Sequence, residues 1–274
     1  METIKQYIKD KYTAIALNDN SQVTSCCGSS CCGAEQNYTV FSESYSHIEG
    51  YTPDADLSLG CGLPTEFAMI AKGNMVLDLG SGAGNDCFVA RAQVGDEGYV
   101  AGIDFSSAMV AKARKNATKL GYTNVDFIEG DIEKIPVNSS VVDVVISNCV
   151  LNLVPDKAKA FGEIYRVLKH GGHFCVSDVV VKGELPAKMK SDAEMHAGCI
   201  SGALQQNEYI DLIKSAGFQN VEIKKEKKLE LPDSLLVNTL SSQELQEFRL
   251  SNTGLYSITV TASKPEGCRC CEGA

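Results

Sequence analysis

The sequence predicts an α/β fold, in which a mostly parallel sheet of seven strands carries helices on both faces and a smaller C-terminal α+β portion follows. Two observations predict this fold. Short runs that are apolar almost throughout, typical of strands buried on both faces, alternate with helix-like spans. A glycine-rich turn follows the first of these runs, at a position where such sheets bind ligands. The predicted strands are 74–80, 99–105, 124–130, 141–148, 172–181, 220–228 and 255–263.

Segments whose apolar residues recur with helical spacing lie between most of these strands, and one such segment precedes the first strand. We expect the helix before 172–181 to end at the pair Gly171–Gly172, because glycine commonly caps helix C-termini. The predicted helices are 1–17, 85–93, 106–120, 157–169 and 207–216.

Composition excludes several classes of function. The 274 residues carry a net charge of −10, whereas binding to nucleic acid needs clustered Lys and Arg. No apolar run approaches the roughly 20 residues that cross a bilayer, and the charged N-terminus lacks the apolar core of a signal peptide. We therefore expect a cytoplasmic monomer without membrane or nucleic-acid partners. Thiols stay reduced there, so the 12 cysteines indicate metal or thiol chemistry rather than a disulfide frame.

The segment "VLDLGSGAGND" at 76–86 is the most informative motif. Glycines between a strand and a helix let the backbone turn sharply and bring its N–H groups close to a ligand. A dinucleotide-binding fingerprint would need glycine where Asn85 stands. The pattern G-x-G-x-G after a strand that contains Asp78 instead resembles the first motif of class I methyltransferases, which use S-adenosylmethionine.

Three later positions complete the cofactor prediction. Asp104 closes the second strand, where a carboxylate can accept both ribose hydroxyls. Met109 is placed to lie on the adenine face, and "GDIEK" at 130–134 resembles the turn that contacts the adenine amine. We expect S-adenosylmethionine to bind, and S-adenosylhomocysteine to leave, at Asp78, Gly80, Ser81, Gly82, Gly84, Asp86, Asp104, Met109, Asp131, Ile132 and Asn148.

Cysteines occupy the positions where the acceptor site is expected. Cys149 follows the fourth strand in "SNCVLNL", and Cys61 and Cys199 lie in glycine-containing, turn-like settings. No general base is evident near them. A tetrahedral zinc ion is the alternative occupant of these three cysteines, with His196 as a fourth ligand. Zinc sites, however, usually contain a closely spaced cysteine pair. Two other cysteines, Cys87 and Cys175, are assigned to packing because cysteine is often buried.

These segments resemble the arsenite methyltransferases, enzymes that methylate trivalent arsenic. The resemblance covers roughly residues 40–225 and rests on "SLGCG", "VLDLGSGAGND", "DFSSAMVAKAR", "SNCVLNL", "EIYRVLKHGG" and "GCISGA". It implies that Cys61, Cys149 and Cys199 bind arsenic(III). The chemistry agrees, since soft thiolates are the ligands that a thiophilic centre prefers. The arsenic lone pair can attack the methyl carbon directly, so no general base is needed.

The resemblance also implies that a cysteine upstream of Cys61 supplies reducing equivalents. Cys32 is the nearest candidate and Cys31 is an alternative, with the pairing to Cys61 left open. The resulting disulfide would be reduced by thioredoxin or glutathione. We expect arsenite or its thiol conjugates as substrate. The two cysteine-rich stretches at 25–33 and 267–274 could capture arsenic or bind adventitious metal.

The chain is divided into four parts on this basis: an N-terminal helix with a Cys-rich segment (1–37), a cofactor-binding methyltransferase domain (38–180), an acceptor-covering portion (181–263) and a Cys-rich tail (264–274). Two other functions stay open at this point. One is C- or O-methylation of a quinone or another small metabolite. The other is a thiol-rich protein that binds metalloids without methylating them.

Overall fold

The computed structural model describes residues 2–17, 43–184, 202–230, 240–251 and 253–267. Seven strands form one sheet in the order β3-β2-β1-β4-β5-β7-β6. The strands are β1 Met75–Leu79, β2 Tyr99–Asp104, β3 Val125–Glu129, β4 Val142–Asn148, β5 Leu168–Lys182, β6 Gln219–Lys228 and β7 Gly254–Ser263. The helices are α1 Glu2–Leu17, α2 Pro64–Phe67, α3 Asn85–Val94, α4 Ser107–Leu120, α5 Lys157–Val167, α6 Gln206–Ser215 and α7 Ser242–Leu250.

Strands β1 to β5 are parallel to one another, and β7 runs antiparallel between β5 and β6. The predicted sheet, mostly parallel and seven-stranded, is therefore confirmed. Central strand β1 is buried from Val76 onward because helices cover both of its faces. The chain leaves β1 in one direction and later returns to β4 on its other side, so a crevice opens at their carboxyl ends.

The core has one large apolar cluster on each face of the sheet. Phe161 of α5 and Tyr209 of α6 pack on one face, with ring centroids 5.6 Å apart. Phe88 of α3 and Phe127 of β3 meet on the other face at 5.9 Å. Burial of large side chains on both faces fixes the sheet between two helical layers.

The prediction that Gly171–Gly172 caps a helix is wrong. Helix α5 ends at Val167, its C-cap residue Leu168 is extended, and both glycines lie inside β5. Gly172 is needed there because a Cβ atom would stand 2.9 Å from the carbonyl oxygen of Asp143. Close approach between strands, rather than helix capping, explains this glycine.

Helix α7 was not predicted, although its start carries a recognisable signal. Ser241 accepts a hydrogen bond from the backbone N–H of Glu244, and the Glu244 side chain accepts one from the backbone of Ser241. This reciprocal pair is the S-x-x-E capping box of helix N-termini.

The division of the chain into four parts stays a prediction, but the sheet is continuous across its boundary at 180/181, since β5 runs through it and pairs with β7. Within the described ranges, none of the helices combines the length and the apolar character needed to cross a bilayer.

Candidate active site

The glycine loop turns from β1 into α3 at the crevice. The backbone N–H groups of Gly80 and Ser81 both donate to the carbonyl oxygen of Ile103, at 2.7 and 2.9 Å. A Cβ on Gly80 would lie 2.2 Å from a methyl group of Val150, whereas a Cβ on Gly82 would point into open space. The loop therefore packs on one side and leaves room for a ligand on the other.

Asp104 lies at the end of β2 and faces this loop. Its Oδ2 accepts the backbone N–H of Gly82 at 3.0 Å, and its Oδ1 accepts that of Ser106 at 2.8 Å. Burial raises the pKa of the Asp104 carboxyl to about 6, although these hydrogen bonds oppose the shift. A carboxylate fixed in this way has lone pairs left for ribose hydroxyl groups.

Two adjoining cavities, of about 110 and 70 Å³, open along the carboxyl ends of the strands and share Gly80, Asp104 and Val150. The larger contains most of the predicted cofactor residues, and the smaller contains the predicted adenine turn. The sequence-predicted residues that line one or both are Gly80, Ser81, Gly82, Asp86, Asp104, Met109, Asp131, Ile132, Asn148 and Cys149.

Two predicted cofactor residues lie behind the cavity wall instead. Asp78 is buried, and its Oδ2 accepts a hydrogen bond from the Cys87 thiol at 3.2 Å. Gly84 is the N-cap residue of α3, where a Cβ would stand 2.9 Å from the ring of Phe127. Both residues support the loop, and neither lines the cavity.

Acidic groups give the crevice its electrostatic character. Burial raises the pKa of Asp86 to about 6 and that of Asp78 well above its ordinary value. Of the two, Asp86 lines the larger cavity, and a cation beside it would favour its charged form. S-Adenosylmethionine carries a cationic sulfonium and an ammonium group, so this residue fits that cofactor.

The N-terminal helix forms part of the cofactor cavity, which the sequence reasoning missed. Lys5 and Ile8 line the smaller cavity, and Tyr12 lines the larger one. The Lys5 ammonium pairs with Asp131 at 2.8 Å, and the Thr13 hydroxyl lies 3.0 Å from that of Ser106. The amphipathic pattern of this helix predicted a buried face but could not identify the surface that it covers.

Cys61 and Cys149, far apart in the sequence, belong to one buried apolar cluster. They are 1% and 6% exposed, and Val179 and Leu255 pack in the same cluster. Cys149 also lines the larger cavity, together with Gly60. The thiol cluster, defined as Cys61 and Cys149 with these apolar neighbours, thus adjoins the cofactor cavity.

Asn148 joins the two cysteine segments. Its Oδ1 accepts the backbone N–H groups of Cys61 and Gly62 at 3.0 and 3.3 Å. Its Nδ2 donates to the carbonyl oxygen of Gly62 at 2.8 Å and to the Tyr45 hydroxyl at 2.6 Å. A Cβ on Gly60 would lie 2.5 Å from that Nδ2, so glycine is required for the close approach.

The backbone of each cysteine is also held from the late strands. Cys149 adopts a φ of 60°, uncommon for a residue with a side chain, and donates its N–H to the carbonyl oxygen of Ser177 at 2.8 Å. The Ser257 hydroxyl of β7 donates to the carbonyl oxygen of Cys61 at 2.6 Å. Such conformations persist where the surroundings over-determine them, often at functional sites.

The remaining described cysteines are packing residues, as the sequence predicts. Cys87 and Cys175 are fully buried in the cluster that α3 and α4 form with the sheet. Burial raises the pKa of Cys175 to about 12 and raises that of Cys87 as well, so both thiols are poor nucleophiles.

Several predicted thiols lie outside the described residues: Cys199, Cys32 and Cys31, the other cysteines of 25–33, and the C-terminal cysteines after 267. His196, the alternative zinc donor, lies there too. Among the described residues, no group of three or more His, Cys, Asp or Glu side chains is arranged to hold a metal ion.

Comparisons with known proteins agree with this geometry. Residues 70–234 match the family model described as a methyltransferase domain. The chain is 37% identical to an arsenite methyltransferase of Halobacterium salinarum over 96% of its own length and 67% of that protein. It is 41% identical to the human arsenite methyltransferase over 58% of its length, but this match spans 44% of the human protein.

A solved structure is similar to this chain in three dimensions as well. The crystal structure of an arsenic(III) S-adenosylmethionine methyltransferase from Chlamydomonas reinhardtii has a TM-score of 0.64 and 35% identity, covering 76% of this chain and 68% of that one. With the seven-stranded sheet, the glycine loop and the carboxylate at the end of β2, these similarities identify an S-adenosylmethionine-dependent enzyme, and the chain belongs to the arsenite methyltransferase family of class I methyltransferases.

Proposed function

We propose that this enzyme transfers the methyl group of S-adenosylmethionine to trivalent arsenic held by the thiolates of Cys61, Cys149 and Cys199. One observation carries the proposal: two cysteines distant in sequence lie in a single buried cluster beside the cofactor cavity. The Asn148 amide also bonds the Cys61 turn to the segment of Cys149, an arrangement that hydrophobic packing of the two cysteines would not require. A soft, three-coordinate metalloid is the ligand that such thiols suit.

The position of Gly202 supports the third ligand. A Cβ on Gly202 would stand 2.1 Å from the carbonyl oxygen of Asn152, which lies three residues beyond Cys149. Cys199, three positions before Gly202 in the sequence, lies outside the described residues, and its role as the third ligand follows from the resemblance of "GCISGA" to the arsenite methyltransferases.

The three thiols replace the three hydroxides of arsenite, and each thiol proton leaves with a hydroxide as water. The apolar cluster around Cys61 and Cys149 keeps solvent away from the bound arsenic, whose lone pair is the nucleophile. S-Adenosylmethionine supplies an electrophilic methyl group on a cationic sulfur. Asn148 and the strained backbone of Cys149 fix the geometry, and orientation of this kind can contribute several kcal/mol to lowering the barrier, roughly 7–11 in model systems.

Methyl transfer leaves arsenic pentavalent, and a fourth cysteine can restore the trivalent state. The thiolate of Cys32 attacks the arsenic-bound sulfur of Cys61, an S–S bond forms, and the As–S bond breaks with its electron pair returning to arsenic. Thioredoxin or glutathione then reduces the disulfide by thiol exchange. Cys31 is the alternative attacking residue.

A single-turnover assay tests the function. Fully reduced protein is mixed with arsenite and methyl-labelled S-adenosylmethionine, and the arsenic products are separated by chromatography. We expect labelled methylarsenic from the wild type and none from Cys149→Ser. Cys175→Ser is the matched control, since it removes a buried thiol from β5 outside the thiol cluster, and we expect it to retain activity.

The other outcomes distinguish the rival functions. Label that reaches a quinone or another small acceptor, with full activity in Cys149→Ser, would make the chain a C- or O-methyltransferase. Tight arsenite binding without consumption of the cofactor would indicate a metalloid-binding protein. Equal loss of activity in Cys149→Ser and Cys175→Ser would indicate damage to folding rather than loss of a ligand.

A further inference from the structure

Tyr45 has a buried hydroxyl group that the reaction outlined above does not use. Its side chain is 6% exposed, and the hydroxyl lies at the meeting point of the cofactor cavity and the Cys61 turn. Polar atoms surround it: the Asp86 Oδ1 at 2.8 Å, the Asp86 Oδ2 at 3.0 Å, the Asn148 Nδ2 at 2.6 Å and the Gly62 carbonyl oxygen at 3.2 Å.

A phenol has one proton to donate and lone pairs to accept with. The Asn148 Nδ2 can only donate, so the Tyr45 oxygen accepts from it. The proton of Tyr45 is then directed to the Asp86 carboxylate, whose oxygens are closer than the Gly62 carbonyl. A hydrogen bond to an ionised carboxylate is about twice as strong as one between neutral groups.

The same contacts determine the orientation of the Asn148 amide. Its Nδ2 faces only acceptors, in Tyr45, Gly62 and Asp86, while its Oδ1 faces the N–H groups of Cys61 and Gly62. Rotating the amide by 180° would oppose acceptor to acceptor and donor to donor. Tyr45 and Asp86 thus secure the orientation in which Asn148 holds the Cys61 backbone.

We propose that Tyr45 is a positioning residue that couples occupancy of the cofactor cavity to the Cys61 turn, through the chain Asp86–Tyr45–Asn148–Cys61. Asp86 lines the cavity, so a cofactor cation beside it favours the ionised form of its carboxyl group. The ionised carboxylate is the stronger acceptor for the Tyr45 hydroxyl, and Tyr45 in turn holds the Asn148 amide and, through it, the N–H of Cys61. The turn is firmest when the methyl donor is present.

The proposal rests on the proposed function only for what Cys61 binds. The coupling itself needs no arsenic and can be measured on the protein alone. Alkylation of Cys61 by iodoacetamide, quantified by mass spectrometry of its peptide, reports how often the buried turn opens. The rates are compared with and without saturating S-adenosylmethionine, in the absence of arsenite, in the wild type and in Tyr45→Phe.

We expect S-adenosylmethionine to slow alkylation of Cys61 about tenfold in the wild type and less than twofold in Tyr45→Phe. Tyr122→Phe is the control, because that tyrosine packs on Phe88 away from the Cys61 turn, and it should keep the wild-type response. Alkylation of Cys175 serves as the internal reference for global opening, and its rate should be equal in all three proteins at equal stability.

Equal protection of Cys61 in the wild type and Tyr45→Phe overturns the proposal, as does a wild type that the ligand does not protect. Should Tyr45→Phe fail to fold, Asp86→Asn removes the charge at the other end of the bond and should also reduce the protection. In turnover assays the coupling predicts a lower kcat for Tyr45→Phe with a smaller change in the KM for the cofactor. Absence of methylated arsenic in the wild type, with Cys61 protection intact, would refute the proposed function and leave the coupling standing.

Discussion

The two halves of the site share one cavity but are built from different interactions. In the cofactor half, backbone N–H groups of the glycine loop and carboxylates at the strand ends converge, as Gly82, Asp104 and Ser106 do. In the thiol half, Cys61 and Cys149 lie among apolar side chains and are held by long-range contacts such as that from Ser257 of β7. The polar half can recognise a charged, hydrogen-bonding ligand, and the apolar half can hold a soft one in the absence of water.

Because of this difference, we expect substitutions in one half to impair its own function and to leave the function of the other half intact. Damage to Asp104 or Lys5 should weaken cofactor binding and spare the thiols. Damage to a cysteine should abolish transfer and spare cofactor binding. Asn148 is the exception, because it lines the cofactor cavity and also bonds the Cys61 turn.

After loss of a ligand cysteine, the largest effect is expected at Asn148, where one change reaches both halves. Asn148→Ala removes the acceptor of the Cys61 and Gly62 N–H groups, so the turn shifts relative to the methyl donor. A misplacement of about 1 Å can cost on the order of 100-fold in rate. We expect kcat for methylarsenic formation to fall by about that factor, measured under saturating arsenite and S-adenosylmethionine.

Asn148→Asp is the informative companion, since it retains the acceptor oxygen and loses the donors to Tyr45 and Gly62. Its second carboxylate oxygen would oppose the Gly62 carbonyl oxygen and the Asp86 carboxylate, so we expect it to lose at least as much activity as Asn148→Ala. Equal and near-normal activity in both variants would show that the Cys61 turn holds its geometry without this side chain.

The next largest effect is expected from Asp104→Asn, which breaks the cofactor half alone. Hydrogen bonds to a charged group contribute about 1.5–3 kcal/mol, so affinity for S-adenosylmethionine should fall about 10- to 100-fold. Calorimetric titration of the cofactor measures this loss. Arsenite binding, titrated in parallel, should be unchanged, and simultaneous loss of both ligands would point to unfolding.

A smaller effect is expected from pH, again in the cofactor half. Burial raises the pKa of Asp86 and of Asp104 to about 6 in the free protein; a bound cation favours the ionised form of Asp86, and ribose hydroxyls that donate to Asp104 favour its ionised form. Binding therefore releases protons below pH 6 and none well above it. Affinity should rise about tenfold per carboxyl group from pH 5 to pH 7 and then level off.

Calorimetry in buffers of different ionisation enthalpy would count the released protons directly. In Asp104→Asn, the pH dependence of cofactor affinity should reflect one carboxyl group fewer, since asparagine does not titrate. An affinity that is constant from pH 5 to pH 8 would contradict the assignment of either carboxyl group to the cofactor.

The smallest effect is expected from Lys5→Ala in α1. Its ion pairs with Asp131 and Glu133 are partly exposed, and such pairs contribute about 0–1 kcal/mol. We expect the thermal midpoint to fall by no more than about 4 °C and the KM for S-adenosylmethionine to rise only a few-fold. Lys9→Ala, which removes an exposed pair with Glu129 on the same helix, should leave that KM unchanged. A large rise in the KM for Lys9→Ala would show that the whole helix, rather than the cavity residue Lys5, determines affinity.

The sequence by itself determined the features whose signals are local. The predicted strands match all seven observed strands to within a few residues, except that β5 begins at Leu168 rather than 172. The spacing from the glycine loop to Asp104 predicted a carboxylate at the end of β2, because a loop and the next strand end are joined by one short helix. The error at Gly171–Gly172 arose because a glycine pair is compatible with both a helix cap and a close strand contact.

Only the tertiary structure decided how distant segments meet. No local pattern places α1 over the smaller cavity, positions Tyr45 between Asp86 and Asn148, or brings Ser257 to the Cys61 carbonyl. These contacts depend on the sheet order, which brings β1, β4, β5 and β7 together. The spacing of residues in the sequence indicates which side chains lie on the same helix or strand. Which helices and strands meet at one site is decided by how they pack together.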